Sequence, residues 1–298
     1  MPNIQPGDTG NFTVHSVTSK DGTKIGYRQY GHGPGLVLEQ GAMGIAHNYD
    51  ELSRALANDF TVCVPDRRGR RMSAREFTPN HVVERDVEDL EAVLAQTGAH
   101  IVFGLSSGAI ITAETARVCP LIHKAVLYEP PFYYQARVPV ERIARIYDEI
   151  GRGDYAAALV TVNSVVKLGP AFLNFIPRPL LQLMTGKIIA DEIKKGTGDY
   201  APLRELIPTM RYDFKAVLER GEKIELYKTV QQEILLLGGD KSPQYLKSAL
   251  IGLETILPKS KRIEFKGLDH SAAWNREKGG APQILAPEMI RFFKAFSD

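Results

Sequence analysis

The chain has 298 residues, of which 44% are hydrophobic and 24% charged, and its formal net charge is +2. This balance gives no reason to expect nucleic acid as a partner, and no apolar run approaches the ~18 residues that cross a membrane. No charged segment followed by an apolar one opens the chain, and the two cysteines, Cys63 and Cys119, suit a reducing compartment better than a disulfide framework. We therefore expect a soluble, cytoplasmic protein that binds neither nucleic acid nor membrane.

The first part of the chain has the pattern of strands that alternate with helices. Short runs of apolar or alternating residues predict strands at 12–18, 24–30, 35–39 and 61–65. Lys20-Asp21-Gly22 predicts a hairpin turn between the first two of these strands. Apolar residues then recur at helical spacing, at Val83, Val87, Leu90 and Leu94. The alternation predicts an α/β protein in which a mostly parallel sheet is flanked by helices.

The second part of the chain contains a long helical segment. From about residue 135 to 221 the sequence reads as successive helices broken by glycine and proline, without a convincing strand. Strand-like residues resume at Gln232, and a helix over 287–296 closes the chain. We expect a core of residues 1–134 and 222–298, with residues 135–221 inserted between the sixth and seventh core strands.

The segment Gly104-Leu105-Ser106-Ser107-Gly108 carries the strongest functional signal. It follows an apolar run at 100–103 and precedes a helix-forming run at 109–118. A G-x-S-x-G turn between a strand and a helix is a nucleophile elbow, in which the serine hydroxyl projects above the sheet. Glycine is needed on both sides because the strand and helix backbones approach too closely for a side chain. We predict Ser106 as the nucleophile.

A histidine with the right position for a general base lies near the end of the chain. His270 follows a strand-like run at 262–265 and a turn at 267–269. A base at this place would take the Ser106 proton and return it to the leaving group. We predict His270 in that role.

The elbow and two further loops make the chain resemble the α/β-hydrolases over nearly all of its length. The strand at 35–39 and the turn Gly41-Ala42-Met43-Gly44 resemble the loop that supplies one oxyanion-hole amide in that family, here Ala42, with Ser107 supplying the second. Gln40 stands where the family usually has histidine, and Arg71 replaces a glycine in the loop at 66–73, which resembles D-x-R-G-x-G-x-S. The resemblance implies that residues 135–221 are a helical cap.

Two carboxylates compete for the acid of the triad. Asp240 follows the apolar strand at 234–237, which is where α/β-hydrolases most often carry the acid, but the usual register falls on Lys241 or Ser242. Glu129 ends the strand-like run at 124–128, and the two prolines after it would halt the strand and fix the local backbone. We favour Glu129 and keep Asp240 as the alternative.

Two smaller features bear on the substrate. Ser-Ser-Gly-Ala at 106–109, together with a glutamate before proline on the sixth strand, is similar to fungal resorcylate-lactone hydrolases of the zearalenone-degrading type. Four arginines, at positions 67, 68, 70 and 71, could bind an anion, although a solvated loop is the favoured interpretation.

The apolar residues of the cap and its surroundings predict a hydrophobic pocket. We expect Met43, Phe132, Tyr133 and Trp274 to contact the substrate, and the apolar residues between 172 and 184 to cover the serine. The prediction is a serine hydrolase for a medium-sized, mainly hydrophobic ester or lactone, with no cofactor and no metal. Carbon–carbon bond hydrolysis, acyl transfer or cyclisation by the same triad, and a binding protein without turnover, are the alternatives. The sequence is also compatible with a homodimer.

Overall fold

The computed structural model describes residues 12–295, and its centre is an eight-stranded sheet. The strands are β1 (Phe12–Thr18), β2 (Lys24–Tyr30), β3 (Gly35–Glu39), β4 (Thr61–Pro65), β5 (Ile101–Leu105), β6 (Lys124–Tyr128), β7 (Glu233–Gly239) and β8 (Ser260–Phe265). They lie in the order β1-β2-β4-β3-β5-β6-β7-β8. Strand β2 pairs antiparallel with β1 and β4, and all other pairs are parallel. The carboxyl ends of β3 to β8 therefore lie at one edge of the sheet.

Helices connect most of the strands. The α-helices are α1 (Asp50–Leu56), α2 (Val83–Thr97), α3 (Ser107–Val118), α4 (Val140–Gly151), α5 (Tyr155–Val166), α6 (Arg178–Lys195), α7 (Leu203–Leu206), α8 (Met210–Arg220), α9 (Gln244–Ile256) and α10 (Pro282–Lys294). Short 3₁₀ helices lie at Ala46–Tyr49, Arg71–Ser73, Ala171–Phe175, Ile207–Thr209, Ile224–Thr229 and Arg276–Lys278. Among the described residues, no helix is both long and apolar enough to cross a membrane.

The central strands are buried on both faces, as expected for a parallel sheet covered by helices. All five residues of β6 are buried. Because successive side chains point to opposite faces, Leu127 joins a hydrophobic cluster with residues of α2, α3 and α9, whereas Val126 joins one with α1 and α10. These two layers hold the strand ends, and thus the site, in a fixed geometry.

The predicted α/β class and hairpin are confirmed, with small shifts at element ends. The register of β1 with β2 runs from Phe12 opposite Tyr30 to Thr18 opposite Lys24. Strand β5 covers Ile101–Leu105 instead of 100–103. The last helix begins at Pro282, a favourable first position for proline, and carries Pro287 inside it, so it starts earlier than predicted. Residue 296, the predicted end of this helix, lies outside the described residues, as do residues 1–11.

The segment between β6 and β7 is helical, and we call its residues 135–221 the helical insertion. It contains α4 to α8 and no strand. The expectation that the apolar residues between 172 and 184 cover the serine is wrong. Helix α6 has no buried residue, and Phe172, Leu183 and Met184 are exposed. The face of the insertion toward Ser106 is instead formed by residues of α5 and α8 and of their ends.

Candidate active site

Ser106 lies at the turn between β5 and α3, in a backbone conformation that is rare for a residue with a side chain. Its φ and ψ are 56° and −123°. The turn is tight because the chain reverses directly from strand to helix. A Cβ atom at position 104 would lie 2.4 Å from Thr112 Oγ1, and one at position 108 would lie 2.4 Å from the Gln40 carbonyl oxygen. Both flanking glycines are therefore required by contact distances, as the predicted elbow demands.

The loop after β3 lies beside this turn. A Cβ atom at Gly41 would be 2.9 Å from the Cβ of Ser106. The backbone N–H groups of Ala42 and Ser107 donate to no acceptor among residues 12–295. Two free amides on adjacent loops, next to a serine, form the arrangement that an oxyanion needs. The predicted pair, Ala42 and Ser107, is brought together here.

His270 contacts Glu129. The His270 Nδ1 atom lies 2.7 Å from Glu129 Oε2, and Glu129 Oε1 accepts a hydrogen bond of 2.7 Å from the Gly239 amide. Glu129 is 1% exposed and adopts a φ of 47° directly after β6. Tyr128 donates from its hydroxyl to the carbonyl of Asp269, 2.8 Å away, and so fixes the loop that carries the histidine. A carboxylate in this place favours the imidazole tautomer with the proton on Nδ1.

Asp240 lies elsewhere. Its Oδ1 accepts a hydrogen bond of 2.7 Å from the Gly267 amide, within the turn that precedes the histidine loop. The pairing of Tyr128 with Leu237 places Glu129 next to Gly238, at the end of β7. Asp240 begins the turn after β7. Its carboxylate binds the backbone amide of Gly267, whereas the carboxylate that binds His270 is that of Glu129.

Ser106 and His270 line the same cavity, which has a volume of about 200 Å³. No hydrogen bond joins the two side chains in the described part of the chain. Such catalytic contacts are often long without substrate and shorten when it binds. Apolar residues from α5, α8 and their ends form the opposite wall: Val162, Val165, Val166, Leu168, Met210, Phe214 and Val217. We call this the inner cavity.

Three of the four predicted substrate-contacting residues line the inner cavity. These are Met43, Tyr133 and Trp274. The fourth, Phe132, is a wrong prediction: it is fully buried and packs against Tyr227, with ring centroids 5.1 Å apart. The chain turns after Pro131, which directs Tyr133 to the cavity and Phe132 to the core.

Tyr245 is a cavity residue that the sequence does not reveal. Its ring stacks on Tyr133 at a centroid distance of 5.5 Å. Burial raises the pKa of Tyr133 to about 12 and also raises the pKa of Tyr245. A phenol is neutral at physiological pH, and burial favours this form further, so both tyrosines can donate a hydrogen bond inside the mainly apolar cavity.

The interpretation of the arginine-rich loop as solvated is wrong for three of its four arginines. Arg67, Arg68 and Arg70 are 4%, 3% and 2% exposed. Arg68 binds Asp89 on α2, while Arg67 and Arg70 both bind Asp213 on α8. These carboxylates come from distant parts of the sequence, so the loop's local pattern does not show that its charges are paired.

Asp213 also contacts the elbow. The Ser107 hydroxyl donates to Asp213 Oδ1 at 2.6 Å, and Arg67 Nη1 donates to the Ser107 hydroxyl at 3.0 Å. Asp213 lines the inner cavity and is 2% exposed. Asp213 is one of several charged residues of α8, so the sequence of this helix does not single it out. The cavity itself holds no cluster of metal ligands, and none exists elsewhere among residues 12–295.

Comparisons with known proteins agree with this architecture. The model of the alpha/beta hydrolase family matches residues 32–279, so the chain belongs to that family. The uncharacterized hydrolase YraK of Bacillus subtilis (strain 168) is 33% identical over 124 residues, which are 40% of this chain and 46% of YraK. The match thus spans less than half the length of that relative.

Solved structures show the same fold over nearly the whole chain. An alpha/beta hydrolase from Sphaerobacter thermophilus DSM 20745 is 26% identical with a TM-score of 0.75, covering 94% of this chain and 100% of the other. The esterase RhEst1 from Rhodococcus sp. ECU1013 is 20% identical with a TM-score of 0.64, covering 95% and 99%. Family and neighbours support a hydrolase activity in general terms.

Proposed function

We propose that the protein is a serine hydrolase that cleaves a carboxylic ester or lactone of a compact, mainly hydrophobic molecule. The observation that carries this proposal is the contact between Glu129 and His270 at a cavity that Ser106 also lines. A serine at an elbow, a histidine oriented by a buried carboxylate and two free amides are the parts that acyl transfer requires.

Each part has one role in the proposed reaction. The Ser106 hydroxyl attacks the acyl carbonyl while His270 Nε2 accepts its proton, and Glu129 stabilises the imidazolium that forms. The amides of Ala42 and Ser107 donate to the oxyanion of the tetrahedral intermediate. His270 then protonates the leaving alcohol. In the second half of the reaction His270 takes a proton from water, the water oxygen attacks the acyl-enzyme carbonyl, and Ser106 leaves with the proton from His270 as the acid is released. This proposal needs no metal or organic cofactor.

The inner cavity supports a compact substrate. A cavity of roughly 150 Å³ lined by apolar residues accommodates benzene. The inner cavity, with about 200 Å³, therefore holds a group of one aromatic ring with a short chain. A resorcylate macrolactone exceeds this volume. The similarity to lactone hydrolases of that type therefore supports Glu129 as the acid of the triad more than it supports a macrolactone as the substrate.

We also propose the division into a core and a cap. Residues 1–134 and 222–298 are assigned to the α/β-hydrolase core and residues 135–221 to the cap. The assignment is supported by the position of the helical insertion between β6 and β7 and by the contribution of α5 and α8 to the inner cavity.

The proposed function is tested with the purified protein and a panel of phenyl and nitrophenyl esters, lactones and thioesters. We expect hydrolysis of short-chain esters, with Ser106→Ala abolishing both turnover and covalent labelling by an organophosphonate. Product analysis separates hydrolysis from acyl transfer to a non-water acceptor and from carbon–carbon bond cleavage. Turnover by Ser106→Ala at the wild-type rate, or unchanged labelling in that variant, would overturn the proposal.

A further inference from the structure

A second cavity adjoins the inner cavity on the side of the oxyanion loop. It has a volume of about 590 Å³, and we call it the outer chamber. Its polar lining consists of Asn48, Glu192, Lys195, Thr197, Tyr200 and Lys278. Met43 and Trp274 line both cavities. These two side chains therefore form the boundary between the inner cavity and the outer chamber.

The boundary lies beside the reacting atoms. Met43 follows Ala42 directly and has a φ of 60°, which fixes its backbone in the left-handed region. Trp274 is four residues beyond His270 and is held by a backbone hydrogen bond of 2.8 Å to Ser271. A substrate whose carbonyl lies at the Ala42 amide would extend past this pair. One half of such a substrate occupies the inner cavity, and the other half enters the outer chamber.

Asn48 presents an unpaired donor in the outer chamber. Its Oδ1 accepts a hydrogen bond of 2.9 Å from the Ile45 amide, which fixes the orientation of the side-chain amide. Its Nδ2 donates to no group among the described residues. Asn48 is only 5% exposed as a residue, but its Nδ2 keeps contact with solvent, so this donor is open to a ligand or a water molecule.

Two ammonium groups face the same chamber without a carboxylate partner. Neither Lys195 nor Lys278 has a carboxylate within 4.0 Å among residues 12–295. Lys278 Nζ lies 4.2 Å from the centroid of the Tyr200 ring, and Tyr200 also lines the chamber. Two carboxylates lie nearby, and neither pairs with these lysines: Glu192, which lines the chamber, accepts from the Leu203 amide, and Glu277 accepts from the Tyr200 hydroxyl.

We propose that the outer chamber binds a carboxylate at the far end of the substrate. The substrate class is then an ester with one compact apolar half, held in the inner cavity, and one half that carries an anionic group. The anion accepts from Asn48 Nδ2 and pairs with Lys195 and Lys278. This inference rests on the proposed function, because it assigns the two halves of an ester that Ser106 cleaves.

Matched ester pairs test the proposal. The first pair is 4-butanoyloxybenzoate and the neutral 4-butanoyloxybenzamide, which differ by a carboxylate on the alcohol half. The second pair is the monophenyl ester of glutaric acid and its amide, which differ on the acyl half. For at least one pair we expect the anionic ester to have the higher kcat/KM, by about tenfold at low ionic strength, and the preference to fall with added salt.

Variants assign the preference to the outer chamber. Lys195→Ala and Lys278→Ala should each reduce the ratio of kcat/KM for anionic over neutral ester about threefold, as the loss of an exposed ion pair does. Asn48→Asp keeps the acceptor for the Ile45 amide and replaces the free donor by a negative oxygen, so it should reduce the ratio further. Lys194→Ala is the matched control, because Lys194 is also exposed on α6 but does not line the chamber.

The outcomes separate this inference from the proposed function. Rapid hydrolysis of the neutral esters with no charge preference in either pair, or a preference that survives Lys195→Ala combined with Lys278→Ala, would overturn the outer-chamber site and leave the hydrolase proposal intact. If no ester is hydrolysed, calorimetric binding of each pair to Ser106→Ala gives the same comparison without turnover. Equal affinity for both members of each pair would then reject the site.

Discussion

Both carboxylate oxygens of Asp213 lie 2.9 Å from Arg70 Nη2, and this ion pair joins the helical insertion to the arginine-rich loop at 66–73. Arg70 Nη1 donates to the carbonyl oxygens of Gly41 and Gly44, at 2.9 and 2.8 Å, on either side of Ala42. The same carboxylate accepts from the Ser107 hydroxyl. Asp213 thus contacts the element that carries one proposed oxyanion amide directly, through Ser107, and the element that carries the other through Arg70.

Asp213→Asn should lower kcat by about 10², because loss of the charge loosens Arg70 and a small displacement of an oxyanion donor costs about this much. We expect KM for a neutral ester to change little. Affinity for a trifluoromethyl ketone, which forms an oxyanion at Ser106, should fall with kcat.

Glu149→Gln is the matched control for Asp213→Asn. Glu149 is also a buried carboxylate of the helical insertion, 2% exposed and bonded to Arg145, Arg178 and Thr161, but it does not line the inner cavity. It should lower the thermal unfolding temperature without a selective loss of ketone affinity. Equal loss of ketone affinity in both variants would show that Asp213 acts only through stability.

Gly108→Ala should impair both stability and activity. The new Cβ atom would lie 2.4 Å from the Gln40 carbonyl and 2.7 Å from that of Glu39, so the strand end before the oxyanion loop must move. We expect a loss of about 1–3 kcal/mol in the free energy of unfolding, typical of forced overpacking. Gly151→Ala on α4 is the control, since nothing lies within 4 Å of its Cβ position. Denaturant unfolding of the two variants measures the difference, and equal stability would contradict it.

Ser107→Ala should retain most activity, with a loss below about tenfold. The proposed contribution of this residue to the oxyanion is its backbone amide, which alanine keeps. Its hydroxyl is one of several donors to Asp213, and both arginines remain. The comparison is kcat/KM against Ser106→Ala, for which we expect no measurable turnover. An equal loss in both variants would contradict the proposal that Ser107 contributes only through its backbone amide.

The residues that the sequence predicts well are those whose position depends on local geometry. Ser106 is recognisable because it lies between two glycines at which a larger residue would clash with neighbouring atoms. Glu129 is recognisable because it directly follows a strand that two prolines bring to an end. Asp213 is separated from Arg70 by 143 positions, so only tertiary packing brings them together. The adjacent aromatic residues Phe132 and Tyr133 look alike in sequence. Phe132 and Tyr133 lie in different environments because the chain turns after Pro131. Phe132 packs against Tyr227, a residue that is distant in the sequence and that the local pattern does not reveal.

The prediction that the apolar residues in and before α6 cover Ser106 is wrong for the same reason, because tertiary packing decides which helix faces the cavity. The apolar residues of α6 indicate a buried face, but hydrophobic content alone does not tell which helix of the insertion faces the cavity. Valines of α5 and residues of α8 take that place. Residue spacing within a helix is a local property, whereas the choice of helix depends on the packing of the whole segment.

The two thiols should be unreactive in the folded protein. Burial raises the pKa of the Cys63 thiol to about 12 and also raises the pKa of Cys119. Since the thiolate is the reactive form, iodoacetamide at pH 8 should label neither residue in the native state and both in concentrated urea. Mass spectrometry of the labelled protein measures this. Rapid native labelling of Cys63 would contradict its buried position in β4.

The identity of the acid is the central claim, and kcat of Glu129→Gln compared with Asp240→Asn tests it most directly. Glutamine keeps the size of the side chain and the acceptor for the Gly239 amide but removes the charge that stabilises the imidazolium of His270. We predict a fall in kcat of about 10⁴ for Glu129→Gln. Asp240→Asn keeps an oxygen for the Gly267 amide, so its kcat should stay within about threefold of wild type. A large loss in Asp240→Asn together with near-normal turnover in Glu129→Gln, both variants folded by circular dichroism, would contradict the account.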